Sequence, residues 1–277
     1  MKNLLFLPLA LVVIAATGQD VASIQKELKN IQTVKYSVDQ QVTSVSGTVV
    51  DFRLDLVGRG GSHNATVYRV DLADLDPYRL RGFVTRGLMK LEIFSKANER
   101  MVTEIKDGEI KRFITNFSVD VEGEDNRESL MEVLKTAIAK AEEKEKSRPG
   151  PSSIDAALKE LCAIVKDVPK PDGEKQSLEY TNDDKVKLIH SVHHGGKYQL
   201  RYEVNLSSLN VEGAKLKATG DDVFIEVRTN RDERVIKLLE NGLTKSFEYY
   251  DRYYASSIEN AKEIRRLLKH AGKLNND

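Results

Sequence analysis

The stretch VYRVDLADLDPYRL, residues 67–80, has a counterpart in RYEVNLSSLNVEGA, residues 201–214. The two stretches are 134 positions apart, and at this offset residues 51–138 align with residues 185–272 without a gap. Matched residues recur in the strand-like runs and at turns along the whole alignment. Self-similarity at a fixed offset is the signature of a repeated structural unit. The sequence therefore predicts two copies of one domain.

Hairpins and strands recur in both copies. The tetrapeptides KDGE, residues 106–109, and ENGL, residues 240–243, each place an Asx-Gly pair between strand-like runs. A type I′ turn needs positive φ at both central residues, so this pair favours a β-hairpin. The upstream runs MKLEIFS and VFIEVRT alternate apolar and polar residues, which is typical of half-buried strands.

A helix is predicted at the end of each copy and another before it. Apolar residues at helical spacing define the two closing helices: Leu130, Val133, Leu134, Ala137 and Ile138 in the first, and Ile264, Leu267, Leu268 and Ala271 in the second. The helices that precede the copies are lined by Val21, Ile24, Leu28 and Ile31, and by Ile154, Leu158, Leu161, Cys162 and Val165. Ser256 and Glu259 have the spacing of a capping box at the start of the last helix.

The element order gives an α+β fold of two mainly antiparallel β domains. With KYSVDQQV and QSLEYT as first strands, each copy has about seven strands followed by a helix. This order resembles the pleckstrin-homology-like (PH-like) fold, a bent barrel closed by a C-terminal helix, and the tandem arrangement resembles exported bacterial proteins of no assigned function. The phosphoinositide site of such folds uses basic residues at the first hairpin. The turns SVSG and TNDD are neutral and acidic here, so that activity is not carried over.

The start of the chain has the three parts of a secretory signal peptide. Lys2 gives a positive charge, residues 4–16 are apolar, and small residues precede Gln19. Cleavage is predicted after Gly18, and the apolar run is shorter than the ~20 residues that span a bilayer. The protein is therefore predicted to be exported to the periplasm or the medium without membrane insertion.

The expected domain limits follow from these elements. Residues 1–18 form the signal peptide, and residues 19–142 form the first PH-like copy with its N-terminal helix. Residues 143–152 form a linker with charged residues and the helix breakers Pro-Gly-Pro, and residues 153–277 form the second copy.

Composition excludes some partners. Lys plus Arg equals Asp plus Glu, 43 of each, which argues against nucleic acid because its binding requires a basic excess. Cys162 is the only cysteine, so the chain has no internal disulfide. On the apolar stripe of a helix, we expect this thiol to be a buried small hydrophobe.

The aspartates of VDLADLDP, Asp71, Asp74 and Asp76, suggest three structures: a cation site, a catalytic cluster or a turn. Their counterparts in the second copy are Asn205, Ser208 and Asn210. These residues share short side chains that accept local hydrogen bonds, rather than negative charge. We therefore predict a turn.

The histidines of HSVHHGG, His190, His193 and His194, are candidate zinc ligands. On a strand, His190 and His194 would lie about 13 Å apart, with His193 on the other face. We therefore predict no metal site, no cofactor and no catalytic motif. The matched charged residues Glu92, Glu99, Arg100, Glu226, Glu233 and Arg234 are interpreted as surface ion pairs.

The two copies differ most before the closing helix, where the second reads FEYYDRYYAS. On a strand, Tyr249, Asp251 and Tyr253 share one face. The other face then carries Tyr250, Arg252 and Tyr254. Each face has a charge, which argues against burial of both. One interpretation packs one tyrosine pair beneath the helix, and the other exposes an aromatic strip that binds a protein or a glycan.

Two functions are compatible with these patterns. The first is an exported, non-enzymatic binding or scaffolding protein, with the five residues Tyr249, Tyr250, Arg252, Tyr253 and Tyr254 as its ligand site. The alternative is a hydrolase with its site at the domain junction, built from scattered carboxylates and histidines.

Overall fold

The computed structural model describes residues 8–85, 87–166, 168, 173–195, 198–220 and 222–276. In these residues the chain is α+β, with four helices and with strands paired in antiparallel sheets. It divides into two compact units, the first ending at Arg148 and the second beginning at Pro149. None of the helices in the described ranges has the length and apolar character needed to cross a membrane.

The first unit is bounded by two helices. Its elements are α1 (Pro8–Glu27), β1 (Ile31–Gln32), β2 (Tyr36–Ser46), β3 (Val49–Gly58), β4 (His63–Asp71), β5 (Leu75–Thr85), β6 (Leu88–Ser95), β7 (Val102–Lys106), β8 (Glu109–Ile114), β9 (Asn116–Val121) and α2 (Glu124–Lys146). The strands form two sheets, ordered β1-β2-β3-β4-β7-β8 and β5-β6-β9. Short 3₁₀ turns at Leu72–Asp74 and Lys96–Asn98 connect one sheet to the other.

The second unit has a similar order. Its elements are α3 (Ile154–Val165), β10 (Lys175–Asn182), β11 (Val186–His194), β12 (Tyr198–Asn205), β13 (Leu209–Thr219), β14 (Asp222–Thr229), β15 (Ile236–Glu240), β16 (Leu243–Glu248), β17 (Tyr250–Ala255) and α4 (Ile258–Asn276). Its sheets are ordered β10-β11-β12-β15-β16 and β13-β14-β17. The 3₁₀ turns are Leu206–Ser208 and Asn230–Asp232.

Strand number and sheet closure differ from the sequence-based expectation. The described part of each unit has eight strands of five residues or more, rather than about seven. No strand pairing among the described residues joins the two sheets of a unit into a closed barrel. Strand β13 begins and ends 134 residues after β5, and β16 does so relative to β8.

The two Asx-Gly hairpins are confirmed. Asp107 and Gly108 have φ of 54° and 79°, and Asn241 and Gly242 have φ of 49° and 83°. Each pair connects two antiparallel strands, β7 to β8 and β15 to β16. Positive φ at both central positions is what a type I′ turn requires.

The turn predicted at Asp71 is also confirmed. The carboxylate of Asp71 accepts a hydrogen bond of 3.0 Å from the backbone N–H of Ala73 and caps the 3₁₀ turn. Asp76 accepts one from the N–H of Tyr78. Leu72, the first residue of the turn, and Leu75, directly after it, are buried in the core. The aspartates therefore shape the chain where it passes from β4 to β5.

Helices supply a large part of each core. Among the predicted apolar positions, the following are buried: Leu130, Leu134, Ala137 and Ile138 on α2, and Ile264, Leu267, Leu268 and Ala271 on α4. Burial of an aliphatic side chain contributes roughly 1.5–3 kcal/mol. Two helix limits differ from expectation. The first helix was expected to extend to Ile31, but α1 ends at Glu27. α4 begins one residue later than predicted, because Ser257 Oγ accepts from the N–H of Asn260.

A glutamine side chain connects the two sheets of each unit. In the first unit, Gln40 on β2 donates from Nε2 to the carbonyl of Asp120 on β9 and accepts from its N–H, both at 2.9 Å. In the second, Gln176 on β10 bonds the same two backbone groups of Tyr254 on β17, at 2.6 and 3.1 Å. Asp120 and Tyr254 are 134 positions apart. Each buried amide thus takes the place of one pair of backbone hydrogen bonds between strands, at the point where the two sheets separate.

We expect Gln40→Leu to lower the free energy of unfolding by about 2–4 kcal/mol, because two buried backbone groups lose their partner. Urea unfolding of the full chain measures this loss. Gln41→Leu is the matched control, since the neighbouring side chain is exposed. Equal unfolding midpoints for the two variants would show that the amide does not hold the sheets together.

Candidate functional site

A pocket of about 330 Å³ lies in the second unit. A row of residues across the five-stranded sheet forms one side of it. His190 on β11 pairs with Tyr202 on β12, and Tyr202 pairs with Leu238 on β15. Directly opposed residues project from the same face of a sheet, so their side chains line the pocket together with Val192.

Strand β17 forms the other side. Tyr250, Asp251, Arg252 and Tyr254 line the pocket, together with Glu248 at the end of β16. In the part of the chain that the structure describes, β17 is the last strand of its three-stranded sheet and pairs with β14. The pocket therefore lies where an edge strand meets the face of the other sheet.

The structure separates the five predicted site residues. Tyr253 is completely buried in the core, whereas Tyr249, Tyr250, Arg252 and Tyr254 are half-buried. Of these, Tyr250, Arg252 and Tyr254 line the pocket, but Tyr249 and Tyr253 do not. Strand alternation places Tyr250, Arg252 and Tyr254 on one face of β17, as predicted.

The charge on each face argued against burial of both faces of β17, and only one of them is buried. Asp251 is 3% exposed and lies on the buried face with Tyr253, whereas Tyr250, Arg252 and Tyr254 on the other face are half-buried. The carboxylate oxygens of Asp251 lie 3.0 and 3.1 Å from Nδ1 of His190, which is also buried. A buried charge is tolerated when it is paired and hydrogen-bonded.

The second ring nitrogen of His190 also faces an oxygen. The Gln176 amide is oriented by its two bonds to the Tyr254 backbone, so its Oε1 lies 3.3 Å from Nε2 of His190. Both hydrogen bonds of the ring form only when His190 carries two protons or when Asp251 carries one. Neither nitrogen is then available to take a proton from a nucleophile.

Aromatic rings surround this pair. His190 stacks on Tyr202 with centroids 5.6 Å apart and meets the edge of Tyr253 at 5.1 Å. Burial, followed by the charge of Asp251, raises the pKa of Tyr202 to about 12. The same two causes raise the pKa of Tyr253 well above its ordinary value. Both hydroxyls therefore stay protonated at neutral pH.

Glu226 on β14 lies next to the pocket-lining face of β17 and is buried. Lys217 Nζ lies 3.2 Å and Arg228 Nη2 3.3 Å from one of its oxygens. Burial raises the pKa of Glu226, but the hydrogen bonds and charges of these two cations outweigh it, and the pKa is lowered. Glu226 is thus a buried carboxylate whose cation partners are exposed, Lys217 at 42% and Arg228 at 45% of the side chain. Of the other residues expected in surface ion pairs, Glu99, Arg100, Glu233 and Arg234 are exposed.

The other candidates do not join this site. His193 is exposed, and Nδ1 of His194 contacts Glu174. Within the described ranges, no group of three or more His, Cys, Asp and Glu side chains is arranged to hold a metal ion. Cys162 is half-buried rather than buried, and burial raises the pKa of its thiol to about 11.

Sequence analysis did not identify His190, Asp251 and Gln176 as one cluster. His190 and Asp251 are 61 positions apart, and Gln176 is 78 positions from Tyr254. The available signal was the unusual placement of Asp251 between two tyrosines of a predicted strand.

Comparison of the chain with family models, with curated proteins and with solved structures finds no match.

Proposed function

We propose that this chain is an exported, non-enzymatic binding protein and that the pocket of its second unit holds part of a protein or glycan ligand. The convergence of Tyr202, Tyr250, Tyr254 and Arg252 on one pocket carries this proposal. Tyrosine and arginine are enriched at binding hot spots, where a large apolar area is combined with a polar tip. The pocket volume is within the range of ligand sites.

The geometry of His190 favours binding over hydrolysis. A general base must reach the proton that it removes. Both nitrogens of His190 face Asp251 and Gln176 instead. The cluster therefore serves as a rigid part of the pocket wall, which keeps β17 in position for a ligand.

We also propose that the two units are copies of one PH-like domain. Support comes from the shared offset of 134 residues for β5 and β13 and from the glutamine that connects the two sheets in each unit. The closing helices α2 and α4 are a further shared feature. In this proposal the amide connection takes the place of full barrel closure.

Export is proposed on the pattern of residues 1–18, of which residues 1–7 lie outside the described structure. We expect secreted material to begin at Gln19, because signal peptidase cuts after small residues. Intact-mass measurement tests this, and Leu11→Arg, which interrupts the apolar run, should block export. Secreted protein that retains residues 1–18 would contradict the proposal.

Binding and hydrolysis are distinguished by the fate of the ligand. Immobilised full-length protein is offered to an array of oligosaccharides and to proteins of its own compartment, and the bound material is eluted and weighed by mass spectrometry. We expect saturable binding and recovery of an unchanged ligand. Turnover of a compound in a hydrolase substrate panel, by protein shown to be pure, would contradict a non-enzymatic role.

A further inference from the structure

Arg252 occupies a fixed position beside the pocket. Its guanidinium carbon lies 5.1 Å from the ring centroid of Phe224 and 5.0 Å from that of Tyr250. A cation held over two aromatic faces keeps its charge with little conformational freedom. The side chain is 42% exposed and lines the pocket, so the charge is accessible.

The hydrogen-bond donors of Arg252 are not used up by its neighbour. Arg252 forms an ion pair with Glu226, whose Oε2 lies 3.6 Å from Nε, beyond hydrogen-bond distance. Within the described part of the chain, this buried Nε has no hydrogen-bond partner. Glu226 is instead bonded by Arg228 and contacted by Lys217. Arg252 thus shares one carboxylate with Lys217 and Arg228, so three cations surround a single buried anion and the guanidinium fork, which suits planar oxyanions, can bind a further one.

We propose that Arg252 binds an anionic oxygen group, a carboxylate, sulfate or phosphate, carried by the ligand of the pocket. This inference rests on the proposed binding function and specifies the chemistry of its ligand. Tyr250 and Tyr254 on either side of Arg252 offer ring faces and hydroxyls to the part of the ligand next to the anionic group. Glu248, which also lines the pocket, selects ligands that present a hydrogen-bond donor as well.

Different residues stand at the equivalent positions of the first unit. The residue 134 positions before Arg252 is Ser118, and those before Tyr250 and Tyr254 are Asn116 and Asp120. It does contain an arginine over an aromatic ring, Arg81, whose guanidinium carbon lies 5.5 Å from the centroid of Phe94. Arg81 is therefore the matched control for a substitution at Arg252.

The test uses full-length protein and isothermal titration calorimetry at constant ionic strength. Three probes are compared: inorganic sulfate, a sulfated monosaccharide and the same sugar without sulfate. We expect the wild type to bind inorganic sulfate and the sulfated monosaccharide. The neutral sugar should bind at least tenfold more weakly than the sulfated sugar. Arg252→Gln should weaken sulfate binding roughly tenfold or more, as expected for loss of a charge-assisted hydrogen bond.

Two further variants complete the test. Arg252→Lys keeps the charge but loses the fork, so we expect an intermediate affinity, whereas Arg81→Gln should bind as the wild type. Tighter binding of the sulfated sugar than of inorganic sulfate would identify the ligand group as an anion carried by a sugar. Equal binding of the two probes would identify it as a free anion. The inference fails if neither sulfated probe binds saturably, or if folded Arg252→Gln binds them as the wild type. Ligand capture that still depends on Tyr250 and Tyr254 would then leave the binding function intact.

Discussion

Asp251→Ala is expected to lower the free energy of unfolding of the second unit by about 3–5 kcal/mol, the usual cost of removing one partner from a buried ion pair. His190 would remain in the core with no carboxylate within reach of Nδ1, while Gln176 still faces its other nitrogen. Urea unfolding followed by tyrosine fluorescence measures the loss, because seven of the ten tyrosines follow Pro149.

Two variants show whether this loss comes from the pair. Asp183→Ala, an exposed aspartate of the same unit, should unfold as the wild type. The double variant His190→Leu/Asp251→Leu should recover much of the stability, since apolar residues often replace a buried ion pair at little cost. An unchanged midpoint for Asp251→Ala would show that the pair contributes nothing.

Tyr250→Ala/Tyr254→Ala is expected to reduce ligand capture by at least roughly 100-fold, because hot-spot side chains each contribute about 2 kcal/mol or more. Both side chains are half-buried and lie on the lining face of β17, so the melting temperature should change by only a few degrees. Surface plasmon resonance with the captured ligand and a thermal melt of the same samples give the two quantities.

The other tyrosines serve as controls. Tyr78→Ala removes a tyrosine that is 93% exposed in the first unit, and capture should be unchanged. Tyr253→Ala should instead destabilise the second unit by about 3–5 kcal/mol, since it leaves a cavity in the core. Unfolding of the Tyr250→Ala/Tyr254→Ala variant would mean that these side chains belong to the core and that the aromatic pocket is not a binding site.

Local signals in the sequence predicted a large part of the fold. The Asx-Gly pairs located the hairpins, because the backbone angles of a type I′ turn depend on the two residues themselves. Helical spacing located α2 and α4 because each has a core-facing stripe. The start of α4 was missed by one residue, since Ser256 and Ser257 are both competent caps and Ser257 Oγ is the one that accepts from the N–H of Asn260.

Long-range contacts limited what the sequence predicted about the site. Strand alternation assigned Asp251 to the face of Tyr253, but whether that face is buried depended on His190, 61 positions away. Gln40 and Gln176 are polar residues whose burial follows from unpaired backbone groups on β9 and β17. Such partners are fixed by tertiary packing, and no local pattern encodes them.

The pocket of the second unit is the place where the proposed function puts the ligand. Replacement of Tyr254 by the photoreactive amino acid p-benzoylphenylalanine, in cells that export the protein, tests this directly, because the group inserts only into molecules in contact with it. We expect a crosslinked product from position 254 and none from position 78, which is exposed in the first unit. Crosslinking from position 78 alone would contradict a ligand site at this pocket.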